Sequence, residues 1–490
     1  MSLRDSIDNI LGQGSGRVAE KASRWGGVRV NDMHSQLNAT HVREIERPNT
    51  LSDLQEIVWR ARAEGLAVCI AGARHAMGGQ QFASEALLVD MSRLKRVLYF
   101  DREKGQVEVE AGILWVDLVQ HLVHVQQNQE SQWGILQKQT GADQLSLGGS
   151  LAANVHGRGL CLKPIIQDIE SFLLVDAEGE VRLCSREENP ELFRLVIGGY
   201  GLFGIVYSLT LRLAPRQKVE RVVQILSLRE LMPAFEHRIR DGFLYGDFQY
   251  MTDENSVDFL FRGVFSCYRP VPQDTPIRAS QKQISLRQWD SLVHLAHTDK
   301  ARAYKLYADY YLSSSGQIYW SDTHQLGAYI ENYHQRLDRK MQAVAPATEM
   351  ITELFVPRDA LSAFLRDVRE DFRQHDVNVV YGTIRLVEQD EESFLSWAKE
   401  AYAGVIFNLH VAHTPPGIAH AQQAFRRLID RAIQHRGSFY LTYHKFATRD
   451  QLLVCYPRFP QFLQEKRRYD PEERFQSDWY RHYRRLVEED

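Results

Sequence analysis

Two glycine-rich segments set the strongest limits on how this chain can fold. GARHAMGGQ at 72–80 directly follows LAVCIAG at 66–72, a short apolar run that predicts a buried strand. TGADQLSLGGSLAANVHGRGL at 140–160 carries glycines among other small residues. Because glycine has no Cβ, such backbone can approach an anion or a flat ligand closely. The first segment therefore predicts an anion-binding loop, whereas the second fits a bulky flat ligand and a tightly packed crossing equally well.

The composition of the 490 residues excludes several classes of protein. Hydrophobic residues make up 44% and charged residues 25%, which is typical of a globular chain of roughly two to four domains. The 59 basic and 63 acidic residues give a net charge of −4, so no bulk positive field favours a nucleic acid. Five scattered cysteines without a CxxC pair suit a reducing compartment, and no apolar run approaches the roughly 20 residues of a membrane span. We expect a soluble cytoplasmic protein.

The apolar pattern predicts alternating helices and strands as far as Pro215. At 50–65, Ser52 and Gln55 have the spacing of a capping box, and apolar residues recur at helical spacing, which predicts a helix. Apolar or alternating runs predict further strands at 86–94, 106–112, 171–181 and 205–215. Apolar residues at helical spacing predict a second helix at 113–124.

Three glycines at 199–204 imitate the fingerprint of a dinucleotide-binding fold. Gly199, Gly201 and Gly204 fit the pattern GxGxxG, which binds a pyrophosphate only where a helix follows it. Here the next residues, IVYSLTLRLAP, alternate as a strand does. We therefore expect a tight glycine turn between strands and no nicotinamide site.

Beyond Pro215 the sequence predicts a large sheet backed by helices. Strand-like runs lie at 243–251, 257–266, 377–387 and 404–413, and helical runs at 359–374 and 418–435. Nearer the C-terminus, FYLTYHKF at 439–446 predicts a strand, and the charged residues after it predict a terminal helix. His121 and His124 lie three apart on a predicted helix without a partner arrangement such as HExxH, so no metal site is expected.

Four segments together resemble the FAD-binding domain of the vanillyl-alcohol oxidase superfamily. GARHAMGGQ looks like the loop that binds the FAD pyrophosphate in that superfamily. LSLGGSLAANVHG is similar to its second flavin-binding stretch, closest to that of the decaprenylphosphoryl-ribose oxidase group, which lacks the histidine of the first loop. VIGGYGLFGIVYSLTLRLAP and KRRYDPEERFQSDW resemble its closing glycine segment and its C-terminal signature.

The resemblance implies an α+β fold with a PCMH-type FAD-binding domain of two subdomains, plus a cap domain built on a large antiparallel sheet backed by helices. It covers about residues 40–215 and returns near the C-terminus. The expected divisions are a leader helix at 1–36, the FAD-binding domain at 37–215, the substrate cap at 216–435, and a segment at 436–490 that returns to the FAD-binding domain.

The resemblance also implies which residues bind the FAD. His75 lies where many members carry a histidine bonded covalently to the 8α-methyl group of the isoalloxazine, so a covalent bond through His75 is a hypothesis. Ile205 lies where an isoleucine meets the flavin in that superfamily. The residues expected at the cofactor are Gly72, Ala73, Arg74, His75, Ala76, Met77, Gly141, Ser146, Leu147, Gly148, Gly149, Ala153, Asn154, His156, Gly157, Ile205 and Tyr440.

Candidate catalytic residues come from likeness to the sugar-alcohol and aldonolactone oxidases of the superfamily. Their cap strand carries an arginine in an E-I-R pattern, and TIRL offers Arg385, with Thr383 in place of the glutamate. Without the resemblance, a salt bridge inside the cap is the simpler explanation of Arg385. A following strand supplies a histidine in those enzymes, and NLHVAH offers His410.

The segment YHKF offers Lys445 for the lysine that lies near flavin N1 in those enzymes, although His444 stands where glycine is usual. A cation there would stabilise the charge that develops on the reduced ring. Tyr443, His444 and His410 are the candidates to accept the proton of a substrate hydroxyl.

The function implied is an FAD-dependent oxidoreductase that transfers a hydride to flavin N5 from a C–OH carbon of a small polyol, sugar or sugar-derived hydroxy compound. Oxygen or an electron carrier would accept the electrons. Two alternatives stay open: a flavin-dependent reductase of an activated C=C bond, as in the sterol-reductase branch, and an FAD-binding protein without catalytic activity.

Overall fold

The first sheet of the protein is small and parallel, and it carries the first glycine-rich loop. The computed structural model describes residues 27–139, 141, 143–327 and 333–489. A hairpin of two short strands comes first, and the central strand β5 then pairs in parallel with β3 and β4. The elements are β1 (Val28–Val30), β2 (Thr40–Val42), β3 (Glu44–Glu46), α1 (Leu51–Ala63), β4 (Val68–Ala71) and β5 (Leu87–Asp90).

Helix α1 confirms the predicted helix but begins differently. The predicted apolar face of Leu54, Ile57, Val58 and Ala61 is buried. The capping box is formed by Thr50 and Asp53, not by Ser52 and Gln55, because the Thr50 hydroxyl accepts the N–H of Asp53. Residues 1–26 of the predicted leader helix lie outside the described residues, so that prediction stays untested there; within the rest of its range, Val28–Val30 form β1.

The second sheet is antiparallel and has six strands, in the order β10-β9-β11-β7-β6 with β8 paired to β11. The closing glycine segment leads straight into β11, as expected, and not into a helix. The elements are β6 (Val97–Asp101), β7 (Gln106–Glu110), α2 (Trp115–Val125), β8 (Trp133–Ile135), α3 (Leu147–Ala153), β9 (Ile169–Val175), β10 (Val181–Ser185), α4 (Pro190–Val196) and β11 (Ile205–Pro215).

The cap is a single eight-stranded antiparallel sheet in the order β15-β12-β14-β13-β17-β18-β16-β19. Its strands are β12 (Lys218–Ser227), β13 (Tyr245–Tyr250), β14 (Arg262–Val271), β15 (Ile318–Trp320), β16 (Ala347–Pro357), β17 (Val379–Val387), β18 (Tyr402–Ala412) and β19 (Ser438–Phe439). The α+β fold predicted from the resemblance is therefore confirmed, with two small sheets followed by a large cap sheet.

Helices cover both faces of the cap sheet. One face packs against α5 (Leu228–Arg240), α9 (Leu361–Gln374) and α10 (Pro415–Gln434). The other face contacts α6 (Leu286–Thr298), α7 (Lys300–Ser313) and α8 (Tyr333–Met341). Because side chains alternate along a strand, Tyr381, Thr383 and Arg385 share this second face.

The C-terminal segment holds the two parts of the protein together. Strand β19 ends at Phe439, so the predicted strand FYLTYHKF is wrong beyond it. The reason is that the Leu441 carbonyl accepts hydrogen bonds from the side chains of Gln80 and Trp479, and these bonds draw the backbone away from β16. Three helices follow: α11 (Arg449–Cys455), α12 (Phe459–Tyr469) and α13 (Asp478–Glu488).

Between α12 and α13 the backbone returns to the first sheet. The N–H of Val68 donates to the Arg474 carbonyl, and the N–H of Gln476 donates to the Val68 carbonyl, so this segment extends the parallel sheet beside β4. None of the described helices is at once long enough and apolar enough to cross a bilayer.

Candidate active site

A cavity of about 2530 Å³ lies between the two small sheets and the second face of the cap sheet. The 72–77 loop, the start of α3 and the residues around Gly201 and Gly204 form one side. Side chains of β13, β17 and β18 form the other side. Fourteen of the predicted site residues line it: Gly72, Ala73, Arg74, His75, Ala76, Met77, Gly141, Ser146, Gly148, Gly149, Ala153, Arg385, Tyr440 and Tyr443.

The two glycine-rich segments meet in this cavity, and Gly72 and Gly148 leave no room for a side chain. A Cβ on Gly72 would lie 2.0 Å from the Ser146 Oγ, and one on Gly148 would lie 2.8 Å from the Cβ of Ala111. The Ser146 hydroxyl accepts a hydrogen bond from the N–H of Gly149 at 3.3 Å. The result is a cradle of bare backbone, which fits the flat rings and pyrophosphate of FAD.

His75 lies in the wall of this cradle. Burial, followed by the nearby His34, lowers the pKa of His75 to about 4. Its imidazole is therefore neutral at physiological pH, which is the nucleophilic form that a covalent bond to a flavin requires. Tyr440 lies across the cavity, and its hydroxyl donates to the carbonyl of Ala153 at 2.6 Å.

Five residues predicted at the cofactor lie behind the cavity wall. Leu147 and Ile205 point into the apolar core, and the neighbours of Ile205, Gly204 and Val206, line the cavity in its place. The N–H of Gly157 donates to the Gln137 side chain at 3.2 Å. The remaining two, Asn154 and His156, connect the FAD-binding domain to the cap.

The polar groups of Asn154 form hydrogen bonds with other residues of the protein. Its Nδ2 donates to Asp390 at 2.9 Å, its Oδ1 accepts the N–H of Ile166, and its carbonyl accepts the Trp397 indole N–H. Asn154 also ends α3 in the left-handed conformation, with φ of 48°. The structure thus places Asn154 at the joint with the cap segment that contains Asp390 and Trp397.

A buried chain of three polar side chains starts at the cavity and passes through Glu353 of β16. The Tyr443 hydroxyl donates to Glu353 Oε2 at 3.4 Å, and Glu353 Oε1 lies 2.8 Å from His156 Nε2. The second nitrogen of His156 faces the Gly157 carbonyl, which only accepts, so Nδ1 carries a proton. Glu353 thus connects the Tyr443 phenol to the His156 imidazole through its two carboxylate oxygens.

Burial, followed by the charge of Glu353, raises the pKa of Tyr443 well above its usual value. Its phenol is therefore protonated and acts as a donor. Sequence reasoning identified Tyr443 and His156 but missed Glu353. An acidic residue inside the apolar run that forms β16 was the signal that could have found it.

Arg385 projects from β17 into the cavity and is 6% exposed. Its Nε and Nη1 are buried and have no hydrogen-bond partner among the described residues. A buried guanidinium without partners is costly unless a ligand satisfies it. Among the residues that the structure describes, Arg385 forms no salt bridge, so these two N–H groups are available to the oxygens of a polar ligand.

A second cationic and aromatic end of the cavity was missed by sequence reasoning. The Arg221 guanidinium lies over the rings of Tyr311 and Tyr319 at 5.1 and 4.7 Å. Arg158 lies over Tyr268 and within 3.6 Å of Asp247. These residues come from separate strands, helices and loops, so no local sequence pattern predicts that they lie together.

The structure does not bring Lys445 or His444 to the cavity. Lys445 Nζ lies 3.5 Å from the Gly78 carbonyl and faces a second pocket of about 630 Å³, together with Asp478 and Arg481. Its pKa is lowered by burial, which Asp478 opposes. His444 packs between Phe425 and Phe446, and burial lowers its pKa to about 3.

His410 also lies outside the cavity lining. It shares the face of β18 with the cavity residue Asn408, but it sits two residues further along, under helix α6. There its ring contacts that of His297, with centroids 4.8 Å apart. Burial, followed by the charge of His297, lowers the pKa of His410.

Comparison with known proteins agrees with this geometry. Residues 43–185 match the family described as FAD binding domain. An uncharacterized oxidoreductase of the fasciation locus of Rhodococcoides fascians is 33% identical over 166 residues, which is 34% of this chain and 36% of that protein. The mitochondrial L-galactono-1,4-lactone dehydrogenase of Arabidopsis thaliana is 31% identical over 207 residues, 41% of this chain and 32% of the relative.

The L-gulonolactone oxidase of Mus musculus is 24% identical over 217 residues, which is 44% of this chain and 47% of the oxidase. In each case the matched segment spans less than half the length of the curated relative.

The fold and the backbone cradle define a flavoprotein-type domain joined to a cap sheet. With the match over residues 43–185, this part of the chain is an FAD-binding domain, and it resembles that of the vanillyl-alcohol oxidase superfamily.

Proposed function

We propose that the protein is an FAD-dependent oxidoreductase that removes a hydride from a C–OH carbon of a small polyol, sugar or sugar-derived hydroxy compound. The observation that carries this proposal is Arg385, whose buried, unpartnered N–H groups line the same cavity as the glycine cradle. The relatives named for sugar lactones support the substrate class. Because those names include both a dehydrogenase and an oxidase, the acceptor is an electron carrier or oxygen.

The cradle residues hold the cofactor in this proposal. The backbone of 72–77 and the start of α3 bind the FAD, with His75 and Tyr440 at its edge. Bound FAD supplies the hydride acceptor. The remaining tasks fall to side chains of the cap and of the C-terminal segment: they bind the substrate, orient its C–OH bond and accept the hydroxyl proton.

Arg385 binds the substrate. Its two free N–H groups donate to hydroxyl, carbonyl or carboxylate oxygens, and a planar guanidinium fixes two such oxygens at once. The buried position strengthens these bonds, because little water competes for the donors. Arg385 therefore favours a substrate with several adjacent oxygens, as polyols and sugar acids have.

Tyr443 accepts the hydroxyl proton. The Tyr443 oxygen takes the proton of the substrate hydroxyl while the Tyr443 proton passes to Glu353 Oε2. The proton then stays on Glu353 Oε2, while Glu353 Oε1 keeps its contact with His156 Nε2. The chain of donors thus moves one proton away from the substrate without opening the cavity to water.

The test is anaerobic bleaching of the flavin absorption of the purified protein by a panel of polyols, sugars and aldonolactones. Bleaching by one member, followed by recovery with oxygen or a dye acceptor, is the expected result. Bleaching by a reduced nicotinamide alone, with turnover of an activated C=C compound, identifies the reductase alternative. A flavin-loaded protein that no compound bleaches identifies an FAD-binding protein without catalysis.

A further inference from the structure

Beyond the cavity lining, two histidines and a glutamate converge on one point beneath helix α6. Glu349 of β16 and His410 of β18 are direct cross-strand neighbours, and His297 of α6 contacts both side chains. One ligand atom from each of the three lies within 4.8 Å of the other two. A third imidazole, that of His334 in α8, reaches the second oxygen of Glu349 at 3.3 Å.

The orientation of His297 aims one ring nitrogen at Glu349. Its Nδ1 lies 2.8 Å from the Val293 carbonyl, which only accepts, so Nδ1 donates to that carbonyl. Nε2 then faces Glu349 Oε1 at 2.9 Å. A contact this short between a ring nitrogen and a carboxylate oxygen is bridged by a cation, either a proton or a metal ion.

Further atoms of the cluster form no hydrogen bond among the described residues. Glu349 is 3% exposed, and its Oε2 lies 3.3 Å from His334 Nδ1 without a hydrogen bond to it. The buried Nδ1 of His410 forms no hydrogen bond among the described residues either. An unsatisfied carboxylate oxygen and an unsatisfied ring nitrogen both cost free energy unless a ligand binds them.

We propose that His297, Glu349 and His410 bind a divalent transition-metal ion of the Zn²⁺ type. Two imidazoles and one carboxylate are a common ligand set for such ions, which prefer nitrogen and oxygen at about 2.0–2.2 Å. The bond from His297 Nδ1 to a backbone carbonyl is the contact that orients a metal-binding imidazole. The members of this site come from a helix and two strands far apart in the chain, so no local sequence pattern predicts it.

The metal would anchor helix α6. No residue of α6 is fully buried, so apolar packing holds this helix weakly. Its first turns nevertheless line the cavity through Leu286, Trp289 and Asp290. A metal bond to His297 at the other end fixes the helix against the cap sheet and thereby fixes one wall of the cavity. This site does not depend on the proposed reaction.

The experiment measures metal bound to the whole, tag-free, flavin-loaded protein. The protein is freed of metal with a chelator and titrated with Zn²⁺ by calorimetry, and its metal content is measured after dialysis. We expect about one tightly bound equivalent of Zn²⁺, together with a rise in the melting temperature. Co²⁺ bound in its place gives visible absorption beyond the flavin bands, which reports the ligand geometry.

His297→Ala and His410→Ala should each lose the bound Zn²⁺ and the rise in melting temperature. His294→Ala is the matched control, because His294 lies on the same helix and its side chain hydrogen-bonds to Thr298 of that helix. Glu349→Gln tests the carboxylate while keeping its shape. A folded wild-type protein that binds no Zn²⁺ or Co²⁺ overturns the proposal, and so does Zn²⁺ binding that survives in both histidine variants. In either case a shared proton, not a metal, holds Nε2 and Oε1 together.

Discussion

Glu353 Oε1 and His156 Nε2 lie 2.8 Å apart, and this buried contact joins the cap sheet to the residues just after helix α3. Neither side chain is more than 2% exposed. The second oxygen of Glu353 accepts from Tyr443, which belongs to the C-terminal segment. One carboxylate thus connects the FAD-binding domain, the cap and the chain that returns from it.

Replacing Glu353 with alanine should destabilise the protein strongly. The change leaves His156 and the Tyr443 hydroxyl buried without partners, so we expect a loss of about 3–5 kcal/mol in the free energy of unfolding. Glu353→Gln keeps one hydrogen bond and should cost less. Urea denaturation measures both. As a control, Glu388→Ala removes a partly exposed ion pair with Arg358 and should cost at most about 1 kcal/mol. Equal effects of the two alanine variants would contradict the proposed role of Glu353.

Arg385→Met should lower activity while raising stability. Loss of hydrogen bonds from a charged donor to the substrate is worth about 1.5–3 kcal/mol, so kcat/KM should fall about 10- to 150-fold. In the unliganded protein, the same change removes an uncompensated buried charge and should raise the melting temperature. Steady-state kinetics and thermal unfolding measure the two effects. A variant that keeps its kcat/KM, or that melts lower, would show that Arg385 serves the cap and not the substrate.

Sequence periodicity located most of the sheet and helix segments, because burial of one face imposes a period of two or 3.6 on the apolar residues. It failed at FYLTYHKF, where the pattern of a strand is present but tertiary hydrogen bonds to Leu441 govern the backbone. It also misjudged the start of α1, since Thr50 and Ser52 both allow a capping box and only the structure shows which one forms.

The two glycine-rich segments could be identified from the sequence, because their glycines are local features of the sequence itself. The cationic end of the cavity and the His297 cluster could not. Each depends on which strands become neighbours in the cap sheet, and a local sequence pattern does not show the strand order. The prediction of Lys445 at the flavin failed for a different reason, because the turn after β19 directs Lys445 to Gly78.

A covalent bond between His75 and the flavin should prevent acid from extracting the flavin. With its pKa lowered to about 4, the imidazole is neutral and able to form the covalent bond. We predict a flavin absorption spectrum and a yellow pellet after acid precipitation of the wild-type protein. His75→Ala should give a white pellet under a yellow supernatant. His34→Ala, which also removes a histidine of the cavity wall, should keep the pellet yellow. A white pellet from the wild-type protein would contradict the covalent bond.

Stability should fall as the pH drops below about 6.5, because buried histidines are neutral in the folded protein and take up protons on unfolding. Burial lowers the pKa of His75 to about 4 and those of His334 and His444 to about 3. Burial also raises the pKa of Asp168 to about 7, so this carboxyl keeps its proton in the folded state and acts in the opposite direction. The three histidines together change the stability more than the one carboxyl does. Each group changes the free energy of unfolding by about 1.4 kcal/mol per pH unit.

The measurement is urea denaturation at about pH 7.5 and about pH 5.5, on either side of the ordinary histidine pKa. His444→Phe should reduce the dependence on pH by one proton, because a phenyl ring fits between Phe425 and Phe446 and does not titrate. Equal or greater stability at the lower pH would show that these histidines are not neutral in the folded protein.

The hydrogen bonds between Val68 and the segment at Arg474 and Gln476 also set an order of events during synthesis. The first glycine-rich loop is synthesised early, yet the sheet that supports it lacks this edge until Arg474 and Gln476 have been synthesised. The cradle for the flavin therefore depends on two segments far apart in the sequence. We expect tight binding of FAD only after both segments have been made.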